Sequence, residues 1–350
     1  MSFPKYQWQP TSAEIAAAAG LNPDQVERFD HNTSPFPSDW AADVVIRQSL
    51  SLNEYPAASY VSLREAVATS TGLDPDSVVP GAGADELILL AARAFLAPGQ
   101  TAVIAEPTYP MYGIATAQVR GRVVSIEAQP PDFEFPADEV ITAARDAEIV
   151  WLCVPSNPLG SRSTDQAVAA IIAATDGVVV LDAAYAAFAG DDWAPWVDRY
   201  HNLLVLNTMS KAYGLAGARV GYGLGHPDLI AAIDGVRPPG SISSLSVELA
   251  VAALAAPDRM RSAVAAITAE RARLAGYLHD LGLRVLPSTT NFLLCEVGPQ
   301  ARSVADDLMK GGLVTRTFPE DGPLASYLRF TVRSPRAHDR LLSALQRRLS

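Results

Sequence analysis

One lysine is distinguished by its place in the chain. Lys211 follows Ser210 just beyond Leu203-Leu204-Val205-Leu206, a hydrophobic run that reads as a buried parallel strand. It therefore stands at a strand's carboxyl end, the edge where open α/β sheets bind ligands. Thr208 and Ser210 offer hydroxyls nearby, Arg219 a cation, and Gly214 and Gly217 allow tight turns. An amine, two hydroxyls and a guanidinium suit a phosphorylated aldehyde held as a Schiff base, and pyridoxal phosphate (PLP) is the expected cofactor. The competing reading is a solvated lysine on a Gly-rich loop.

Asp182 ends the run Val178-Val179-Val180-Leu181. A carboxylate there is costly to bury unless paired, and a protonated pyridine nitrogen would pair it. Alternatively it caps the next helix. Tyr185, three residues on, and Asn157, in Val154-Pro155-Ser156-Asn157-Pro158-Leu159-Gly160, both follow strand ends and can reach the cofactor's phenolic oxygen. Asn157 is also a natural Asn-Pro turn former. Gly81-Ala82-Gly83-Ala84-Asp85 opens a helical stretch whose first amides can hold a phosphate. Tyr109, in Glu106-Pro107-Thr108-Tyr109-Pro110, is placed to stack on a planar ring.

These residues need a scaffold, and the hydrophobic pattern supplies one. Thr101 to Ala105, Arg122 to Ile126, Ile149 to Cys153, Val178 to Leu181, Leu203 to Asn207 and Val220 to Leu224 read as strands. Helical stretches, notably Ala84 to Leu96 and Thr164 to Ala174, separate several of them, which predicts a mostly parallel sheet covered on both faces. After Val236-Arg237-Pro238-Pro239-Gly240 the pattern changes to long Ala/Arg-rich helices, Leu245 to Ala255 and Asp258 to Leu281. A strand at Asn291 to Glu296 and a helix at Pro335 to Leu349 follow, so a second, α+β domain is expected to begin near residue 240.

Bulk composition narrows the function. A formal charge of −11 argues against nonspecific nucleic-acid or anionic-membrane binding. No apolar run is long enough to cross a bilayer, and Met1 to Trp8 lacks a basic-then-apolar signal pattern. Cys153 and Cys295 are the only cysteines and read as reduced core thiols, consistent with a cytoplasmic location. No metal-ligand spacing occurs, so no metal is expected.

In order and kind, these residues resemble the fold-type I PLP aminotransferases, most closely the histidinol-phosphate aminotransferase branch. Ser210-Lys211-Ala212-Tyr213-Gly214-Leu215-Ala216-Gly217-Ala218-Arg219-Val220-Gly221-Tyr222 is similar to that branch's lysine signature, and the likeness runs from Asn32 to the terminal helix. The resemblance implies an α/β fold: a large domain with a mostly parallel seven-stranded sheet between helices, plus a smaller α+β domain. Residues 1–40 would pack with the small domain, 41–240 form the PLP-binding domain and 241–350 the small one. Lys211 would be the Schiff-base lysine, Asp182 the pyridinium partner, Tyr185 and Asn157 the phenolate contacts and Tyr109 the stacking ring. Ala84, Asp85, Thr208, Ser210 and Arg219 would form the phosphate cup. Tyr55, in Glu54-Tyr55-Pro56, would reach the phosphate of a neighbouring subunit, which implies a homodimer. Arg316, Arg329 and Asn32 would contact substrate.

The chain departs from the branch at Asp182-Ala183-Ala184-Tyr185 and at Val154 to Gly160, where Asp-Glu-Ala-Tyr and Asn-Pro-Asn-Asn-Pro-Thr-Gly are usual. Arg333-Ser334 and the opening Ala18 to Gln25 are similar to threonine-phosphate decarboxylases. The expected activity is transamination from an anionic amine, histidinol phosphate favoured, to 2-oxoglutarate by a ping-pong route. The alternatives are an aromatic amino acid aminotransferase and a PLP-dependent threonine-phosphate decarboxylase. A PLP-binding regulator would carry a DNA-binding module, for which the roughly sixty residues before the core leave little room. A nicotinamide enzyme is disfavoured because Glu86 stands where Gly-x-G-x-x-Gly needs its last glycine.

Overall fold

Aliphatic runs that are hydrophobic on both faces build the centre of the molecule. The computed structural model describes residues 4–6, 9–48, 52–57 and 59–349. Of the opening stretch Met1 to Trp8, residues 1–3 and 7–8 lie outside the described residues. The chain enters through α1 (Ser12–Ala19), where Thr11 and Glu14 form a reciprocal capping box, then a short strand, β1 (Glu27–Arg28). Helices α2 (Ala41–Gln48) and α3 (Val61–Thr71) lead to β2 (Val78–Gly81). Alternation then begins with α4 (Ala84–Phe95), β3 (Thr101–Glu106), α5 (Met111–Gln118) and β4 (Arg122–Glu127). It continues through α6 (Ala137–Ala144), β5 (Ile149–Cys153), α7 (Asp165–Ala174) and β6 (Val178–Asp182). Single turns α8 (Ala186–Ala189) and α9 (Ala194–Val197) precede β7 (Leu203–Thr208) and β8 (Gly221–Gly225).

These strands form one seven-stranded sheet in the order β2-β8-β7-β6-β5-β3-β4. It is parallel except where β8 runs against both neighbours. Register matters to function here. Gly81 pairs with Gly221 and Gly221 with Thr208, so the ends of β2 and β7 and the start of β8 meet at one edge. Asp182 and Cys153 pair at the same edge, at the ends of β6 and β5. The expected strands thus appear, each within about one residue. The strand β2 lay outside the sequence reading, because Val78-Val79-Pro80-Gly81 is short and ends in two residues that usually mark turns.

Beyond β8 come α10 (Pro227–Val236) and α11 (Ser244–Leu254). Val247, Ala250 and Leu254 of α11 belong to the core under the large sheet, and the helix packs on α2 and α3. A second domain is expected to begin near residue 240, and α11, which follows that point, contributes its buried side chains to the cluster under the large sheet. The smaller body starts with α12 (Pro257–Asp280) and continues through β9 (Arg284–Val285), β10 (Phe292–Glu296) and α13 (Ala301–Lys310). It ends with β11 (Leu313–Val314), β12 (Tyr327–Thr331) and α14 (Pro335–Leu349). Three antiparallel strands in the order β12-β10-β9 carry the helices. Leu274, Leu278, Leu293, Phe330, Leu341 and Leu345 fill the layer between, each such side chain contributing about 1.5–3 kcal/mol of burial.

The amino-terminal segment fastens to this smaller body. Strand β1 pairs in parallel with β11, and Phe29 lies in its core. Among the described residues, no helix is long and apolar enough to cross a membrane, and no cluster of His, Cys, Asp and Glu could hold a metal ion.

Candidate active site

The cluster assembles at the carboxyl edge of the large sheet. Lys211 lies in the turn after β7, partly buried, and its Nζ donates to the His31 carbonyl at 3.3 Å. Burial lowers its pKa to about 8, with Arg329 adding to the effect and Asp85 opposing it. A fraction of the amine is therefore neutral near pH 7, as a nucleophile or proton acceptor requires.

Asp182 is 4% exposed, yet it has no cationic partner in contact among the described residues. Its carboxylate accepts from Tyr112 Oη at 2.7 Å and from the Ala184 amide at 3.0 Å. Burial raises its pKa, against the pull of those two donors. A buried carboxylate without a cationic partner is favourably paired by a cation that reaches it.

The phosphate cup is built by backbone geometry. Helix α4 begins at Ala84 after Gly83, whose φ of 80° and ψ of 173° suit glycine almost alone, and no side chain caps its first amides. A Cβ on Gly83 would stand 2.6 Å from Arg219 Nη2, and one on Gly221 would stand 2.8 Å from the Gly83 carbonyl carbon. The hollow therefore exists only because both side chains are missing. Thr208 Oγ1 and Ser210 Oγ lie 3.0 Å apart, and Arg219 Nη1 approaches Ser210 Oγ at 3.4 Å. Asp85 bonds both Arg219, at 3.1 Å, and the Tyr109 hydroxyl, at 2.8 Å. Helix amides, hydroxyls and a guanidinium converge here as an anion site does. An open cup, an amine and an unpaired buried carboxylate at one sheet edge fit PLP.

Tyr185 and Asn32 are joined by a 2.9 Å bond from Asn32 Nδ2 to the phenol oxygen, and Lys211 Nζ lies 5.9 Å from the Tyr185 ring centre. Asn32 sits at a φ of 52°, pinned through Thr331 and Asn291. Asn157 accepts from Arg329 Nη1 at 2.5 Å, and Arg329 Nη2 donates to the Asp30 carbonyl at 2.7 Å. Arg329 is only 7% exposed, and its Nε is buried without a partner. Burial, with Arg316 nearby, lowers its pKa to about 10. Arg316 pairs with Arg329 through the backbone, and its side chain makes no hydrogen bond or ion pair among the described residues. Arg333 packs against Thr33 and Ser34 with its Nε also buried and unpaired.

Of the expected site residues, Tyr55 alone stands apart, at 96% exposure. Three contributors lay outside the sequence reading. Tyr112 is buried against Asp182 from the first turn of α5, and its signal was a second tyrosine three residues after Tyr109. The carbonyls of Asp30 and His31 act through the backbone, so no residue type could announce them.

Residues 26–345 match the model described as aminotransferase class I and II. The chain is 34% identical to histidinol-phosphate aminotransferase 2 of Ralstonia nicotianae, covering 97% of this chain and 92% of the relative. It is 32% identical to histidinol-phosphate aminotransferase of Caldanaerobacter subterraneus, over 92% and 93%. The crystal structure of histidinol-phosphate aminotransferase from Sinorhizobium meliloti in complex with pyridoxal-5′-phosphate superposes with a TM-score of 0.89 at 28% identity, covering 98% and 95%.

Proposed function

We propose that this chain, which belongs to the aminotransferase class I and II family, moves an amino group from histidinol phosphate to 2-oxoglutarate in a ping-pong cycle. It is a PLP-dependent transaminase. The observation that carries the substrate choice is Arg329, a nearly buried guanidinium with an unpartnered Nε, beside Arg316, whose side chain makes no hydrogen bond among the described residues. Two guanidinium groups favour a strongly anionic end, and a phosphate can satisfy both. The names of the relatives support the same substrate.

When bound, the cofactor supplies an electron sink for the pair left on the substrate's α-carbon after proton loss. Lys211 Nζ, neutral in part at pH 7, takes that proton as general base and keeps it until it is returned. Asp182 holds the ring nitrogen's proton in place. Tyr185 and Asn157 donate to the phenolic oxygen, and Tyr109 covers the ring face. Amides of Ala84 and Asp85, with Thr208, Ser210 and Arg219, anchor the phosphate. Asn32 sets the Tyr185 hydroxyl.

The working unit is a homodimer in which Tyr55 enters the neighbouring site. Its exposure, with Ile46, Leu52 and Val61 also exposed on the adjoining segments, supports this, since apolar surface collected in one region marks an interface. We place the enzyme in the cytoplasm, where Cys153 and Cys295 stay reduced.

An assay pairing 2-oxoglutarate with histidinol phosphate, phenylalanine, tyrosine and histidine tests the reading, alongside carbon dioxide release from threonine phosphate. Histidinol phosphate should give the highest kcat/KM. If it is inert while phenylalanine or tyrosine reacts, the aromatic alternative replaces it. Carbon dioxide release without a keto-acid acceptor would replace transamination itself.

A further inference from the structure

We propose that Tyr112 is a positioning residue that holds the Asp182 carboxylate anionic and oriented toward the cofactor's ring nitrogen. The proposal rests on reading Asp182 as that nitrogen's partner. Tyr112 is 1% exposed, and its hydroxyl lies 2.7 Å from Asp182 Oδ2. Its ring stacks on Trp151 at 5.4 Å with 11° between the planes, and Tyr109 meets it edge-on at 5.9 Å. Phenylalanine would fill the same space. The hydroxyl therefore adds nothing to packing, and burying it is unfavourable unless it is bonded.

The groups around Asp182 explain why a donor is needed. The Ala184 amide reaches Oδ1, so one oxygen is held by its own loop and the other depends on α5. Cys153 on β5 contacts the Tyr112 hydroxyl while its own thiol donates to the Pro155 carbonyl at 3.3 Å. Asp85 on α4 disfavours a second negative charge, and Lys211 favours one. Before the cofactor arrives, burial is the largest influence and pushes Asp182 toward its neutral acid. A neutral acid would leave the ring nitrogen without a counterion. Tyr112 offsets that tendency from outside the reacting centre.

The test uses the full-length holoenzyme reconstituted with cofactor carrying nitrogen-15 in its ring. The nitrogen's chemical shift reports whether it is protonated. In wild type it should be protonated at neutral pH. In Tyr112→Phe the shift should move toward the unprotonated value, and kcat should fall roughly ten- to hundred-fold, as for loss of a bond to a charged group. KM should stay within about twofold, since substrate is not touched. The melting temperature of the cofactor-free protein should barely change. A fluorinated tyrosine at position 112, a stronger donor in the same shape, should keep the nitrogen protonated to higher pH. It serves as the deciding variant if the phenylalanine protein does not fold. Asp182→Asn, measured in parallel, separates the two ideas. An unmoved shift there overturns the Asp182 reading. A shift that moves in Asp182→Asn but in neither position-112 variant leaves Tyr112 a packing residue and overturns this proposal.

Discussion

At Lys211 the local charges predict how the enzyme responds to pH. An exposed lysine titrates near 10.4, whereas burial and the Arg329 charge bring this one to about 8. A lowered lysine pKa means the neutral amine gains ground as pH rises through 8 and is complete above it. The rate at which cofactor-free protein captures cofactor should therefore climb with pH and level off above about 8, followed by visible absorbance. A midpoint near 10 would mean that the amine is solvated. Arg329→Ala removes a positive neighbour, so that midpoint should move upward. The same variant should raise KM for an anionic substrate about tenfold or more, the scale of a charge-assisted bond, with a smaller effect on kcat. Lys211→Ala should lose at least roughly a thousand-fold in turnover, the middle of the range for general acid–base catalysis, while folding normally. Lys211 was legible from type and position, and Arg329 through the family resemblance. Their partners were not, because the Arg329 contacts join positions 172 and 299 residues away along the chain.

Among the elements, the turn before α4 carries the most specific demand. Gly83 combines a φ of 80° with a ψ of 173°, and an added methyl would press on Arg219. Gly83→Ala should impose about 1–3 kcal/mol of backbone strain and displace the guanidinium. Cofactor affinity, measured by equilibrium dialysis, is expected to fall roughly tenfold or more. Affinity equal to wild type would place the phosphate elsewhere. The segment running from β1 to Asn32 has a comparable role. Its consecutive residues Asp30, His31 and Asn32 bond Arg329, Lys211 and Tyr185 in turn, so one short strap touches three side chains of the candidate site. We propose that the two structural units divide near Ala255, after α11, with this strap belonging to the smaller one. The sequence marked α11 well but not its allegiance, because an amphipathic stripe shows that a face is buried without naming what buries it.

At the scale of the whole molecule, Tyr55 bears on assembly. The residue is 96% exposed, and we propose that it meets a partner's site. Mixing Tyr55→Phe subunits with Lys211→Ala subunits should restore activity in heterodimers, where one site of two holds both native residues. The recovered rate should approach half of wild type per such dimer. No recovery after verified subunit exchange would confine Tyr55 to its own chain. Against a net charge of −11, the neighbouring guanidiniums of Arg316 and Arg329 are a local positive exception that favours anions.

Much of this was determined by the sequence alone. Hydrophobic runs such as Ile149 to Cys153 dictate buried parallel strands, and the edge at which Asp182 and Lys211 emerge follows from chain direction. The residue types at that edge suit a phosphorylated aldehyde cofactor, and their order along the chain carries the family resemblance. Tertiary structure decided what local pattern cannot encode. The antiparallel strand β8 brings Gly81, Gly221 and Thr208 into register, which shapes the cup. Helix α5 turns Tyr112 inward onto Asp182, 70 residues away. The cause is the same in each case: a side chain's type travels with its position in the chain, but its protonation and orientation depend on neighbours that folding supplies from distant segments.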